Sequence, residues 1–395
     1  MRVNLIYGFI FLTLLTSCEG FFGDKTDISF IDIPEYSPRK VAYVPVQPAL
    51  QNFVRPVDII AGFDELIYVV DEATEEIISL DESGRELGRL GLKGVKSVAQ
   101  NRQLDLLAIG KVEVNRGGNL LEFTCIYRID IHGSGANFGI QYAEVTDTLI
   151  HPFYFKSTYS SSDVDVEFNK IAILQDNRFY VTRSGTDNNT QKFGGPDDAI
   201  LLFDSDGTYL TPVSVNTPNG LFRDYFKKPI GITSFVQPPQ ISAFGSDHFI
   251  FTSVSENTSI KVQVIDYIET DFGANYEPRI LFDRDTTVSD GNLTTPDKFE
   301  RPVSLLLTGD GTNFIFVVDQ AKDSFYQFTV TGLEGVKPPP GAATSKYQMA
   351  SFGGSGEGLS QFNQPSAVAY KNNIVWVCDT GNERILRFKL TTDFQ

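Results

Sequence analysis

The side chains best suited to metal or acid–base chemistry in this sequence are three histidines, His132, His151 and His248. A protein zinc site takes three or four ligands from histidine, cysteine and carboxylate side chains, commonly at characteristic spacings. These histidines are far apart in the chain and fall in no such motif. The sequence therefore predicts no histidine metal site.

Acidic side chains offer a second kind of metal site, because Ca²⁺ prefers carboxylate and carbonyl oxygens. Asp163, Asp165 and Glu167 alternate along the chain, so an extended strand would place all three on one face. A solvent-exposed strand explains the same alternation without any metal, and we favour that interpretation.

Two Asp-rich segments and one glycine cluster are the remaining segments that could be ligand-binding loops. Asp204–Gly207 begins like a calcium-binding loop, but no glutamate follows at the EF-hand spacing, so this segment and Asp81–Gly84 predict hairpin turns. The glycines of residues 353–358 precede neither the lysine nor the helix of a phosphate-binding loop. They predict a connection between repeats. Because a Gly-x-Ser-x-Gly motif is also absent, the sequence contains no recognisable catalytic set.

Cys18 is the residue with the clearest predicted chemistry, which is attachment of a lipid. It ends the run Leu15-Thr16-Ser17-Cys18, which resembles a lipoprotein cleavage motif. The preceding apolar run is too short for a helix to cross a hydrocarbon core of about 30 Å, but it suits a secretory signal peptide. We predict that residues 1–17 are removed, that lipid on Cys18 holds the protein on a membrane, and that residues 18–27 form a tether. The alternative is an ordinary signal peptide followed by a chance cysteine.

Composition excludes one class of partner and describes the remaining cysteines. The chain has 50 Asp and Glu against 33 Lys and Arg, a net charge of −17. Such an excess repels phosphate backbones, so we expect no nucleic acid partner. Cys125 and Cys378 lie far apart without zinc or redox spacing, which predicts buried free thiols rather than a disulfide.

Short apolar runs separated by turn residues dominate the chain and predict an all-β fold. A strand led by proline, a second strand ending in aspartate and a third strand recur in this order in residues 55–81, 301–328 and 364–388. Three less regular copies occupy residues 96–131, 170–203 and 228–267.

Six copies in about 350 residues suit the four-stranded blades of a six-bladed β-propeller. We therefore predict one propeller domain over residues 28–395. The last copy stops at its third strand, whereas the spare strand-like segment Val41–Val46 precedes the first copy. We expect this N-terminal strand to become the outer strand of the last blade, which closes the ring and supplies the missing strand.

The last copy also carries a family resemblance. Phe352–Gly358 and Asp379–Ile385 resemble segments of an NHL repeat. In that family, an Asp, an Asn and an Arg tie together the turn between the second and third strands. The resemblance implies this structural role for Asp379, Asn382 and Arg384. The first and fifth copies match the repeat only in outline.

The NHL resemblance leaves two classes of function open, because propellers of this type include binding modules and enzymes. We favour a non-enzymatic module that binds a protein, peptide or glycan with its loop face. The alternative is a calcium-dependent hydrolase or lyase at the pore mouth, with Ca²⁺ held in the central channel by several carboxylates. Residues 184–198, 237–240 and 337–341 form the irregular loops, where we expect poorly ordered connections unless they bind a partner.

The expected location follows from the lipid and the composition. Phe and Tyr are abundant, with 32 and 16 copies. This richness, combined with a lipoprotein leader, resembles outer-membrane proteins of Bacteroidota. We therefore expect an outer-membrane lipoprotein that faces either the exterior or the periplasm, with a partner in the cell envelope.

Overall fold

The structure, a computed structural model, describes residues 41–134, 137–240, 247–271, 273–279, 286–338, 340–342 and 344–393. The predicted signal peptide, Cys18 and the tether lie outside the described residues. None of the described helices is long and apolar enough to cross a membrane.

Six small antiparallel sheets form the described part of the chain, which confirms the prediction of an all-β, six-bladed propeller. Each blade contains four strands in the propeller arrangement, counted here from the innermost to the outermost, and the sheet of blade 4 has two more. The strands of blades 1 to 3 are β2 (Pro56–Ala61), β3 (Ile67–Asp71), β4 (Glu76–Leu80), β5 (Glu86–Gly91); β6 (Ser97–Gln100), β7 (Leu106–Arg116), β8 (Asn119–Asp130), β9 (Glu144–Ile150); and β10 (Glu167–Ile173), β11 (Phe179–Ser184), β12 (Ala199–Phe203), β13 (Tyr209–Pro212).

Blades 4 to 6 follow the same strand order. Helix among the described residues is confined to four short 3₁₀ segments. The strands are β16 (Pro229–Ser234), β17 (Phe249–Ser253), β18 (Val262–Thr270), β19 (Gly273–Pro278); β20 (Pro302–Leu307), β21 (Ile315–Asp319), β22 (Ser324–Phe328), β23 (Phe352–Gly353); and β24 (Ala367–Lys371), β25 (Ile374–Asp379), β26 (Arg384–Leu390), β1 (Tyr43–Leu50). The 3₁₀ segments are Ile140–Tyr142, Ser161–Asp165, Thr380–Asn382 and Thr391–Asp393.

The N-terminal strand closes the ring as predicted. β1 pairs antiparallel with β26, and Tyr43 lies opposite Leu390. The first strand thereby becomes the outermost strand of blade 6, where the last copy lacked one. Closure joins the two ends of the propeller through main-chain hydrogen bonds.

Blade 4 differs from the other five because its sheet has six strands. An additional hairpin, β14 (Val215–Thr217) and β15 (Gly220–Phe222), lies beside β19. Val215 pairs in parallel with Tyr276 of β19. The sequence repeats did not predict this extension, because the hairpin falls in the interval between two copies.

The core lies between neighbouring blades. Every residue of β3, β12 and β21 is buried. Each of these strands is covered on both faces by adjacent blades, so its sequence is a continuous apolar run rather than an alternating one, apart from the final aspartate of β3 and β21. Cys125 and Cys378 are buried free thiols, as predicted. Burial raises the pKa of the Cys125 thiol to about 11.

Two faces of the propeller are distinguished below by the direction of the innermost strands. The upper face is the face at which β2, β6, β10, β16, β20 and β24 begin. It carries the connections between blades and those between second and third strands. The lower face is the face at which the innermost strands end.

Candidate functional site

The lower part of the central channel is narrow and apolar. It is a cavity of about 60 Å³. Aliphatic side chains of the innermost strands line it, including those of Ile59, Val98, Ile171, Leu305 and Val368. This cavity has little room for a substrate.

A loop of blade 4 covers the lower end of this cavity. Val236, Gln237 and Pro238 line it together with Gly309. The loop passes so close to Gly309 that a Cβ there would lie 1.9 Å from the carbonyl oxygen of Gln237. This part of the predicted irregular segment 237–240 therefore serves as a packed plug.

A buried ion pair separates the apolar cavity from a polar chamber above it. Asp58 of β2 binds the Lys170 ammonium group, which reaches it from β10 in blade 3. The Asp58 carboxylate also accepts hydrogen bonds from Ser97 Oγ at 2.8 Å and from the Val98 amide at 3.0 Å. Asp58 is only 3% exposed, so its charge depends on these partners.

The donors of the channel do not fit the calcium site that the alternative function requires. Ca²⁺ takes six to eight oxygen ligands, several of them carboxylates. Among the described residues that line the channel and its upper mouth, Asp58 and Glu72 are the carboxylates, and each is already paired with a cation, Lys170 and Arg55 respectively. We therefore derive no metal-dependent step in this channel.

The three histidines have separate surroundings. His248 Nδ1 accepts a hydrogen bond from the Tyr267 amide at 2.8 Å. His132 Nδ1 lies 2.8 Å from Asp130 Oδ1 at the lower face. With Asp105, these two residues form the one group of three potential metal-ligating side chains within the described residues. His151 is buried elsewhere, so the histidines do not share a site.

The prediction that Asp163, Asp165 and Glu167 form one face of a strand is wrong. Ser161–Asp165 is a 3₁₀ helix, and β10 begins only at Glu167. The Asp163 carboxylate accepts hydrogen bonds from the Ser160 amide and hydroxyl, and the bond from the Ser160 amide is one half of a capping box. Asp163 is fully buried, Asp165 is exposed, and Glu167 pairs with lysines.

His151 belongs to a buried polar chain that fastens the connection between blades 2 and 3. Arg183 donates to Tyr154 OH at 3.0 Å, and that hydroxyl lies 3.3 Å from His151 Nδ1. His151 Nε2 lies 3.4 Å from Asp163, which Lys156 contacts at 2.8 Å. Burial lowers the pKa of His151 to about 4. Since His151 is 1% exposed, substrate cannot reach it.

Arg183 also holds the insert at residues 184–198. Its guanidinium donates to the carbonyl oxygens of Gly194, Pro196 and Asp197 at 2.6 to 3.1 Å. Lys192 Nζ reaches the buried Asp197 carboxylate at 2.6 Å. The expectation of a poorly ordered connection does not describe this densely hydrogen-bonded segment.

The insert presents Phe193 to solvent. Phe193 is 73% exposed, although its ring lies 5.8 Å from that of Phe155. Leu120, at the turn of the long β7–β8 hairpin, is 63% exposed on the same upper face. Arg116 of that hairpin lies over the Phe153 ring at 4.4 Å. An exposed aromatic ring on a fastened segment is available to bury against a partner.

The two Asp-rich segments are hairpin turns, as predicted. The Gly84 amide donates to the Asp81 carbonyl, and the Gly207 amide donates to the Asp204 carbonyl, each at 2.9 Å. Gly84 and Gly207 have φ values of 91° and 92°, which other residues rarely adopt. The glycines near Gly353 lie at β23 and in the connection to blade 6.

Asp379, Asn382 and Arg384 contact one another at the turn between β25 and β26. Asp379 Oδ2 accepts hydrogen bonds from Arg384 Nε at 2.7 Å and from Asn382 Nδ2 at 2.9 Å. Arg384 also donates to the carbonyls of Glu357, Gly358 and Gln361. These contacts attach the turn to the incoming connection of the same blade.

Sequence reasoning missed Asp58, Lys170 and Arg183. A signal was present for Asp58, which is the one charged residue in the otherwise apolar strand β2, and a weaker one for Lys170, which directly precedes the apolar end of β10. Their pairing was not predictable from spacing, since 112 residues separate them. Arg183 had an equivalent signal at the end of the buried strand β11.

Comparison with known proteins supports the repeat and the fold. Residues 362–388 match the NHL repeat family. No curated protein matches the chain. An auxiliary nutrient binding protein from Bacteroides ovatus is similar in structure, with 13% identity, 89% of this chain and 72% of that chain covered, and a TM-score of 0.50.

Two further solved structures resemble the chain. A PQQ-bound aldose sugar dehydrogenase from Streptomyces coelicolor has 12% identity and a TM-score of 0.51, and the match covers 89% of this chain and 99% of that chain. A protein of unknown function from Bacteroides thetaiotaomicron has 11% identity and a TM-score of 0.49, with 88% and 72% covered. Likeness at such identities shows the propeller fold alone.

Proposed function

We propose that the protein is a lipid-anchored, non-enzymatic binding module of the cell envelope, attached to the outer membrane through Cys18. Its upper face, over blades 2 and 3, would bind a partner protein. The observation that carries this proposal is Phe193, a 73% exposed aromatic side chain on an insert held by the buried Arg183.

The energetic argument concerns preorganisation. A partner that covers Phe193 removes its ring from water, and such aromatic anchors dominate the affinity of many interfaces. The insert is already fastened through Arg183, so little backbone entropy would be lost on binding. Leu120 and Tyr159 add exposed apolar surface on neighbouring upper-face segments.

The channel supports a binding role rather than a reaction. Aliphatic side chains fill its lower part, and the Asp58–Lys170 pair blocks the level above. The alternative function, a calcium-dependent hydrolase or lyase, would need several free carboxylates there. The described residues that line the channel offer only Asp58 and Glu72, and both are held in ion pairs.

The binding proposal is tested by gentle detergent extraction of the tagged full-length protein from its own membranes and by mass spectrometry of what co-purifies. We expect one stoichiometric envelope protein, which Phe193→Ser should release. Leu359→Ser is the matched control, since Leu359 is a 47% exposed residue on the connection between blades 5 and 6.

Two results would contradict the proposal. One is a protein that emerges alone with a tightly held divalent metal, which would direct the work to hydrolase assays. The other is a partner that Phe193→Ser and Leu359→Ser retain equally. A co-purifying polysaccharide that Phe193→Ser releases would change the partner class from protein to glycan.

The anchor is tested separately by Cys18→Ser. This variant should leave the membrane fraction, because the thiol that accepts lipid is removed. Mass spectrometry of the wild-type N-terminal peptide should detect acylated Cys18 as the first residue. A wild-type protein that starts elsewhere and carries no lipid would contradict the anchor.

A further inference from the structure

The polar chamber at the upper mouth of the channel has a charge opposite to that of the whole protein. It encloses about 280 Å³. Four basic residues and two acidic residues line it, namely Arg55, Lys96, Lys170, Arg301, Asp58 and Glu72. A net positive concave site in a chain of net charge −17 concentrates anions at one place.

Two of these basic residues are already neutralised. Lys170 pairs with Asp58 at the floor of the chamber. Arg55 Nε lies 3.0 Å from Glu72 Oε2. The remaining positive charge of the chamber therefore resides on Lys96 and Arg301.

Lys96 is incompletely compensated. Its ammonium lies 2.6 Å from Glu167, but Lys111 binds the same carboxylate. Burial lowers the pKa of Lys96 despite this partner. Two lysines thus share one carboxylate, and a further anion would relieve the excess positive charge.

Arg301 has only a neutral side-chain partner among the described residues. Its Nε donates to Gln320 Oε1 at 2.9 Å. The guanidinium retains further donors in a planar fork, the arrangement that binds a carboxylate through two hydrogen bonds.

Ser304 lines the same chamber and is 7% exposed. Its hydroxyl is a neutral donor and acceptor in the chamber wall, and it can donate a hydrogen bond to a ligand oxygen there.

We infer that the upper chamber binds a small organic carboxylate, with Arg301 and Lys96 as its charge partners and Ser304 as a hydrogen-bond donor. The volume suits a ligand of the size of a sugar acid. Asp58 and Glu72 in the same wall disfavour a dianion such as phosphate. This site is separate from Phe193, so the inference does not rest on the proposed protein partner.

Isothermal titration of the detergent-solubilised full-length protein tests the inference with glucuronate, its neutral counterpart glucose, and inorganic phosphate. We expect glucuronate to bind at millimolar or lower concentration and glucose not to bind. Arg301→Gln should weaken glucuronate binding by about tenfold or more, because a charge-assisted hydrogen bond is lost. Ser304→Ala should weaken it by a smaller factor.

The control is Arg85→Gln, which makes the same change of net charge at an exposed hairpin away from the chamber. This variant should bind glucuronate like the wild type. The inference is overturned if glucuronate does not bind at millimolar concentration, if Arg301→Gln binds it normally, or if phosphate binds as tightly. The unfolding temperature of each variant checks that the propeller remains folded.

Discussion

Blades 5, 6 and 1 form a regular half of the propeller, whereas blades 2, 3 and 4 form an irregular half. The clearest difference lies at the end of the second strand. Asp71 and Asp319 pair there with Pro56 and Pro302, immediately before a bulge. In blade 3, Arg183 takes the equivalent place, opposite Phe168 and before the same bulge.

The aspartates of the regular half are acceptors for the incoming connection. Asp71 accepts hydrogen bonds from the Val54 and Arg55 amides at 2.7 and 3.0 Å. Asp319 accepts the equivalent pair from the Glu300 and Arg301 amides at the same distances. A carboxylate at this position fixes the chain that leads into its own blade.

Arg183 inverts this arrangement because it is a donor. It binds carbonyl oxygens of the following insert rather than amides of the preceding connection. One position can therefore fasten either of two segments, and the charge of its side chain decides which. The regular half obtains short turns, and the irregular half obtains a fastened insert that presents Phe193.

The largest effect on stability should come from Asp379→Ala. This change leaves the buried guanidinium of Arg384 without its carboxylate and should lower the free energy of unfolding by about 3–5 kcal/mol. Asp71→Ala should lower the free energy of unfolding by about 1–3 kcal/mol, because Asp71 accepts hydrogen bonds from backbone amides and not from a buried cation. Urea unfolding of the solubilised protein measures both. Equal losses would show that the Asp379–Arg384 pair adds nothing to the regular half.

Arg183→Met should have the next largest effect and lower the free energy of unfolding by about 2–3 kcal/mol, because several carbonyl oxygens lose a charged donor. Trypsin should then cleave faster after Lys192, within the insert. Arg223→Met is the control, since Arg223 makes one exposed bond to the Thr190 carbonyl at 2.9 Å. Unchanged cleavage in Arg183→Met would contradict the proposed role of Arg183 in holding the insert.

Acid should destabilise the irregular half through His151. The unfolded imidazole takes up a proton near pH 6.5, but the folded one does so only near its pKa of about 4. The unfolded state therefore binds more protons between these values, and stability falls as pH drops through 6.5. We expect a loss of about 2 kcal/mol from His151 between pH 7 and pH 5.

His151→Phe should flatten this pH dependence in urea unfolding measured at pH 7 and pH 5. His132→Gln is the control, because His132 is exposed beside Asp130 rather than buried. An unaltered slope in His151→Phe would mean that another group carries the acid sensitivity.

The smallest effect on stability should come from Phe193→Ser, at less than about 0.5 kcal/mol, since the ring is mostly exposed. Its proposed effect on partner binding is large by contrast. Thermal unfolding of the variant measures the effect on stability. A substantial fall in the unfolding temperature would indicate that Phe193 supports the insert rather than a partner.

Most of the fold was predictable from the amino-acid sequence. Apolar runs such as Ile67–Asp71 and Ile315–Asp319 predicted buried strands, and their repetition predicted six blades. Residues 41–46 predicted closure of the ring. These inferences succeed because strand burial and repeat order are local properties of sequence.

Local patterns failed where two structures were compatible with the same residues. The alternation of Asp163, Asp165 and Glu167 suits a strand, but the capping box of Ser160 and Asp163 favours a 3₁₀ turn. The hairpin β14–β15 lies between repeats and followed no repeated pattern.

The channel and its charges were decided only by the tertiary structure. Asp58 meets Lys170 across 112 residues, and Arg301 and Lys96 line one chamber although they belong to blades 5 and 2. No spacing in the chain encodes such meetings, because they arise when six blades close into a ring. Closure brings the starts of all six innermost strands to one axis, and there the isolated charges of separate repeats come to line a single chamber.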